Sequence, residues 1–191
     1  MNQQRCYTNT LYEKEIREFD VRVIKKEYIE EIEKLKKQYN NLLDKYNYRK
    51  GYFAEYLFLE QLRLHAYKKN ELLKSITRYL PGDFNFCKYA RVWRYDCSPE
   101  QSQCFNVDIF ARADIPGHYS LIGEDKSRDT RKFSKEEVEE FERKVTALKT
   151  LENIERATGF IFSRSGFTQE AEAYCKEKGI ACSEDERWLD W

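Results

Sequence analysis

The sequence predicts an α/β protein, a mixed β-sheet flanked by helices and preceded by one long N-terminal helix. Three observations predict it. Residues from about Val21 to Lys50 contain neither Pro nor Gly and place apolar side chains at helical spacing. Residues 84–126 switch to strand alternation with short connections. The last third orders itself as helix, strand, helix, strand, and a strand that returns through a crossover helix pairs in parallel with its predecessor.

In the first segment Tyr28, Ile32, Leu35, Tyr39, Leu42 and Tyr46 are spaced alternately four and three apart, which is heptad spacing over nearly three repeats. The stripe suits a second copy of the chain, giving a homodimer through this helix, or packing back on its own domain. Gly51 is expected to interrupt the helix. That places a helical, possible coiled-coil segment at 1–50 and a domain at 51–191. Further helices are expected over Tyr52–Tyr67 and Glu71–Tyr79, the second stopped by Pro81, Gly82 and Asp83. Tyr89–Tyr95 alternates as a first strand, and Pro99–Gln103 makes a loop. Phe105–Phe110 forms a second strand, and a turn at Asp114–Gly117 leads to a third, Tyr119–Lys126. Ser134 followed by Glu137 is a capping box, and Val138, Phe141, Val145, Leu148 and Leu151 give the next helix one apolar stripe. Gly159–Ser163 is a compact apolar run suited to a buried strand. Phe167–Lys178 is a helix closed by Gly179, and Ile180–Cys182 begins a last strand.

Composition narrows the function. At 191 residues the chain suits one domain with an appendage. Its 34 basic and 34 acidic residues cancel, so bulk electrostatics do not announce nucleic acid, and any such contact needs a local patch. The candidate patch follows the third strand and holds Arg128, Arg131 and Lys132, whose alternative role is a solvated loop. The six cysteines show no C-x-x-C spacing, which argues against a zinc or iron–sulfur site and for small buried side chains in a reducing compartment. The N-terminus is polar rather than signal-like, and no apolar run approaches membrane-spanning length, so a soluble cytoplasmic protein without a membrane partner is expected. Neither a phosphate-binding G-x-x-x-x-G-K-[ST] nor a dinucleotide-binding G-x-G-x-x-G occurs, so an ATPase or methyltransferase would be a separate chain.

The most informative residues lie on the second and third strands. Residues i and i+2 of a strand share a face, so Glu124 and Lys126 project together, and the neighbouring strand can bring Asp108 beside them. Two close carboxylates resist joint ionisation unless a cation lies between them, and hard oxygen donors suit Mg²⁺ or Mn²⁺. An adjacent lysine can orient a water, which makes metal-assisted phosphodiester hydrolysis the chemistry these parts support. A second Glu-x-Lys, Glu142-Arg143-Lys144, falls in a helix, where i and i+2 diverge.

This arrangement resembles the PD-(D/E)XK nuclease superfamily, the restriction-endonuclease-like fold, with Asp108 on one strand and Glu124-Asp125-Lys126 on the next. Val107 stands where the motif has proline, and Asp125 where an apolar or small residue is usual. The resemblance covers roughly residues 51–183 and implies a nuclease acting on DNA to leave a 5′-phosphate. It implies Asp108 and Glu124 as metal ligands, helped by the backbone carbonyl between Glu124 and Lys126, and Lys126 as the residue that positions water. It also implies Glu55, on the helix that opens the core, as a catalytic carboxylate, although a structural carboxylate fits that position equally. The turn Phe162–Thr168 is similar to the strand-to-helix turn of several such nucleases, where Arg164 and free backbone N–H groups would face a phosphate; a plain N-cap by Thr168 is the alternative. Within the superfamily a restriction- or repair-type endonuclease leads. A Holliday-junction-resolvase-like nuclease and a non-catalytic nucleic-acid-binding or scaffold module of the same fold are the alternatives.

Overall fold

A computed structural model describes residues 2–96, 105–128 and 130–190, with side chains from Glu13 onward except Val23. The expected loop at Pro99–Gln103, together with Cys97 and Cys104, lies outside the described residues, as does the side chain of Cys6. The protein is mixed α/β, with a five-stranded mixed sheet and a long N-terminal helix. It divides into two compact units, Met1–Tyr46 and Asn47–Trp191.

Helix α1 runs unbroken over Asn2–Glu60, which corrects the expected interruption at Gly51. A Cβ added at Gly51 would meet nothing within 4 Å, so no close approach demands glycine there. An interior glycine costs only about 1 kcal/mol relative to alanine, too little to stop a helix favoured on both sides. After α1 the backbone widens into a π turn at Gln61–His65. Helix α2 covers Asn70–Ser75, shorter than the expected Glu71–Tyr79. The reason is tertiary: Arg78 leaves the helix to exchange backbone hydrogen bonds of 2.9 and 3.0 Å with Cys182, and Tyr79 turns at φ 63°. The segment thereby covers the edge of the last strand, which would otherwise present unpaired backbone groups.

The strands are β1 (Arg91–Asp96), β2 (Asn106–Arg112), β3 (Ser120–Lys126), β4 (Ala157–Ser163) and β5 (Ala181–Ser183), in spatial order β1-β2-β3-β4-β5. β1, β2 and β3 form an antiparallel meander, whereas β4 and β5 continue the sheet in parallel through α3 (Lys135–Leu151) and α4 (Gln169–Lys178). Side chains alternate across the sheet into two apolar layers. Ile109, Ala111, Leu121, Phe160 and Phe162 pack with Phe58 and Leu62 and with Trp188. Phe110, Ile122 and Ile161 pack on the opposite face with Val138, Phe141 and Leu148 of α3 and Ala171 of α4.

Two local irregularities matter for the site. Between the pairs Trp93↔Phe110 and Tyr95↔Val107 strand β2 carries one extra residue, a bulge that includes Asp108. The bulge puts Val107 on the same face as Phe110, and so re-aims the residues between them. The β2–β3 ladder also ends at Ile109↔Gly123, so the two strands part at the step that would pair Asp108 with Glu124.

Candidate active site

Asp108, Glu124 and Lys126 converge. The Lys126 ammonium lies 2.6 Å from Glu124 Oε1 and 3.5 Å from Asp108 Oδ2, and both carboxylate residues are 7% exposed. The same Asp108 oxygen accepts a 3.0 Å hydrogen bond from the Asp125 backbone N–H, which fixes its carboxylate across the gap between the parted strands. Burial raises the Glu124 pKa, and the neighbouring Asp108 charge raises it further, against the two lysines that lower it. Burial disfavours the Lys126 charge, yet Glu124 and Asp108 outweigh that and hold its pKa above the ordinary lysine value.

Lys144, Glu55, Arg94 and Asp125 add further charge around these three residues. Lys144 of α3 places Nζ 3.5 Å from the second Glu124 oxygen, Oε2, with its side chain 17% exposed. Glu55 of α1 accepts a 3.2 Å hydrogen bond from Arg94 of β1. Burial raises its pKa, and the Asp108 charge raises it further. Asp125 points into the protein at 5% exposure; burial pushes its pKa up to about 7, although the Ser127 hydroxyl donates to both carboxylate oxygens at 3.0 and 3.2 Å. A sequence signal for Lys144 existed: it interrupts the apolar stripe of Phe141, Val145 and Leu148 on the face that packs against the sheet. Arg94 gave none, because its place depends on the bulge opposite it.

The expected nucleic-acid contacts are more dispersed. Arg128 and Arg131 both donate to Glu137 Oε1, the first at 2.7 Å, so the two cations brace the start of α3. Lys132 is exposed. Arg164 donates to Glu186 at 2.5 Å. At the turn before α4 the Thr168 hydroxyl accepts the Ala171 N–H at 3.2 Å, Ser163 donates to the Gly166 carbonyl, and Gly166 takes φ 77°. The turn is therefore a side-chain N-cap with a left-handed glycine.

Asp108 and Glu124 present hard oxygen donors to one shared ammonium, and burial together with the Asp108 charge raises the Glu124 pKa, so the donor set is of the kind that suits a small divalent cation. Among the described residues no group of three or more His, Cys, Asp or Glu side chains is arranged to hold a metal ion, so further ligands would be the Asp125 carbonyl and water. Mg²⁺ usually keeps several waters in protein sites. Cys87, Cys175 and Cys182 are buried and free, and His118 is exposed. No helix among the described residues is long and apolar enough to cross a membrane. Comparisons with protein-family models, with curated proteins and with solved structures find no match to the chain.

Proposed function

We propose that the protein is a divalent-metal-dependent nuclease of restriction-endonuclease-like fold that hydrolyses phosphodiester bonds in DNA, with Asp108 and Glu124 holding Mg²⁺ or Mn²⁺. The observation that carries this reading is the contact of one ammonium, Lys126, with both carboxylates where β2 and β3 part. The helix, meander, helix, strand, helix, strand order supports the fold assignment. So does the position of Glu55 on the helix that enters the core.

The bound cation would stabilise the negative charge that grows on the phosphate oxygens. Lys126, kept protonated by its carboxylate neighbours, donates a hydrogen bond to the attacking water and stabilises the oxygen as its proton departs. Attack forms a new P–O bond as the bond to the departing 3′ sugar oxygen opposite it breaks; the proton lost by the water passes to solvent, the departing oxygen takes one from solvent, and the product keeps a 5′-phosphate. Lys144 anchors Glu124 from the second oxygen, and Arg94 holds Glu55 as an acceptor near the same charges.

A plasmid-nicking assay with Mg²⁺ tests the proposal. Asp108→Asn and Glu124→Gln keep the size of each side chain and should abolish nicking while leaving circular dichroism unchanged; EDTA should silence the wild type. Cleavage that persists in the Asp108→Asn protein with EDTA present overturns the mechanism. Parallel reactions on linear and four-way-junction DNA distinguish restriction- or repair-type cleavage from junction resolution.

A second reading, a non-catalytic module of the same fold, draws on the ion pairs themselves. Lys126, Lys144 and Arg94 already answer the charges of Glu124, Asp108 and Glu55 without any added cation. That reading requires that calorimetric titration with Mg²⁺ or Mn²⁺ give no heat that disappears in Glu124→Gln protein.

A further inference from the structure

Every described side chain from Glu13 to Tyr46 is exposed, including an apolar row that has no solvent-facing purpose. Val21, Tyr28, Ile32, Leu35, Tyr39, Leu42 and Tyr46 occupy one heptad frame, with Tyr28, Leu35 and Leu42 at d and Ile32, Tyr39 and Tyr46 at a, and are 49–66% exposed. The outward b, c and f positions of the same frame, from Lys26 to Asp44, carry only Lys, Glu, Asn and Asp. An isolated helix in water draws little stability from propensity alone, and most helical stability in proteins comes from packing an apolar face. This row therefore calls for a partner that is itself a helix of matching period.

We propose that the partner is a second copy of this chain, and that residues 21–46 form a parallel two-stranded coiled coil. Three features select that occupant. Ile at a with Leu at d, as at Ile32 and Leu35, favours two parallel strands. In a parallel pair the g residue of one helix faces the following e residue of the other, which sets Glu31 against Lys36 of the second copy, twice by symmetry, while Ile24 meets Ile29 in the same relation. The area also suffices: at on the order of 100 Å² per side chain, the row on two helices buries somewhat more than the roughly 1,000 Å² that marks a specific interface. Lys25 at an a position lowers affinity and fixes register, because any shifted alignment buries it against apolar side chains.

Glu31 and Lys36 are five residues apart and do not face each other within one helix. Any coupling between them is therefore intermolecular. Sedimentation equilibrium of the full chain should give a concentration-dependent dimer. Leu35→Asp with Leu42→Asp should give a monomer over the whole range, and since both side chains are exposed the double variant keeps its circular-dichroism signal from the folded domain. Lys36→Glu alone should weaken the dimer several-fold, and Glu31→Lys combined with Lys36→Glu should restore it. A wild-type monomer at every concentration, a trimer or larger species, or a charge swap that fails to restore association each overturns the proposal. The measurement reads mass and not cleavage, so its outcome is independent of the nuclease assignment.

Discussion

Lys144 reaches Glu124 from α3 while Lys126 holds the opposite carboxylate oxygen, so the glutamate cannot rotate without losing an ammonium. Lys144→Met should therefore slow cleavage roughly tenfold with little change in KM for DNA, in line with the loss of one charge-assisted hydrogen bond. Lys144→Arg should recover most of the rate; an unchanged rate in Lys144→Met would mean that the lysine only fills space. Asp125 allows a test of burial. Its carboxyl keeps a proton up to about pH 7, against an ordinary 3.8, so the folded state binds more protons than the unfolded one between those values. Stability in EDTA should then fall as pH rises through this window and level off above it. Asp125→Asn, which still accepts from Ser127, should raise the thermal midpoint above neutrality and leave it nearly unchanged in mild acid. The shared face of Glu124 and Lys126 was legible in sequence because strand geometry alone puts i and i+2 together, while Asp108 was legible only as a residue of the neighbouring strand, its aim being set by the bulge. Arg94 was not, because a one-residue bulge in β2 decides what lies opposite it, and no local pattern announces a bulge.

At the scale of elements, the start of α3 concentrates several contacts on one carboxylate. Glu137 accepts from the Ser134 N–H at 3.0 Å and from Arg128 and Arg131, while the Ser134 hydroxyl caps the Glu137 N–H. Burial would raise the Glu137 pKa, but the Ser134 N–H and the two arginines outweigh it and hold it below the ordinary value. A depressed carboxylate stabilises the fold above its unfolded pKa and loses that contribution as pH falls through the folded one. Glu137→Gln should therefore destabilise the protein by about 1 kcal/mol at neutral pH, as expected for a weakened capping box, and the difference should close on acidification. Denaturant midpoints at both pH values decide the matter; a difference that is independent of pH assigns the loss to packing. Gly123 marks another element-level constraint. A Cβ there would lie 3.1 Å from Ile109 Cβ and 3.4 Å from the Phe160 carbonyl oxygen, so Gly123→Ala should push β2 and β3 apart beside the site and lower both stability and cleavage. The short 3-10 turn at Glu186–Leu189 was not anticipated, whereas strands β1 to β5 and helices α3 and α4 followed from periodicity and caps, since the boundaries of α3 and α4 depend on Ser134, Thr168 and Gly179 acting locally. The ends of α1 and α2 did not. Gly51 was too weak a breaker, and α2 stops early because Arg78 pairs with Cys182, more than a hundred residues away.

For the whole molecule, the decisive feature is where the core begins. Among the described residues, every buried apolar side chain falls between Ala54 and Trp188, and both layers of the sheet are filled from that stretch. Hydrophobic burial is the main term that offsets chain entropy, so a segment that buries nothing contributes little to the stability of the folded unit. Residues 47–191 alone should thus unfold cooperatively, with a free energy within about 1 kcal/mol of the full chain measured at low concentration, where the proposed dimer contributes least. Raising the concentration should stabilise the full chain and leave the 47–191 fragment unaffected, because mass action stabilises only what associates. Denaturant titrations of both proteins at two concentrations separate the effects. A fragment that fails to fold would show that the N-terminal unit supports the sheet. A fragment that folds, and that responds to concentration as the full chain does, would place self-association in the sheet domain and remove the reason for the exposed heptad row.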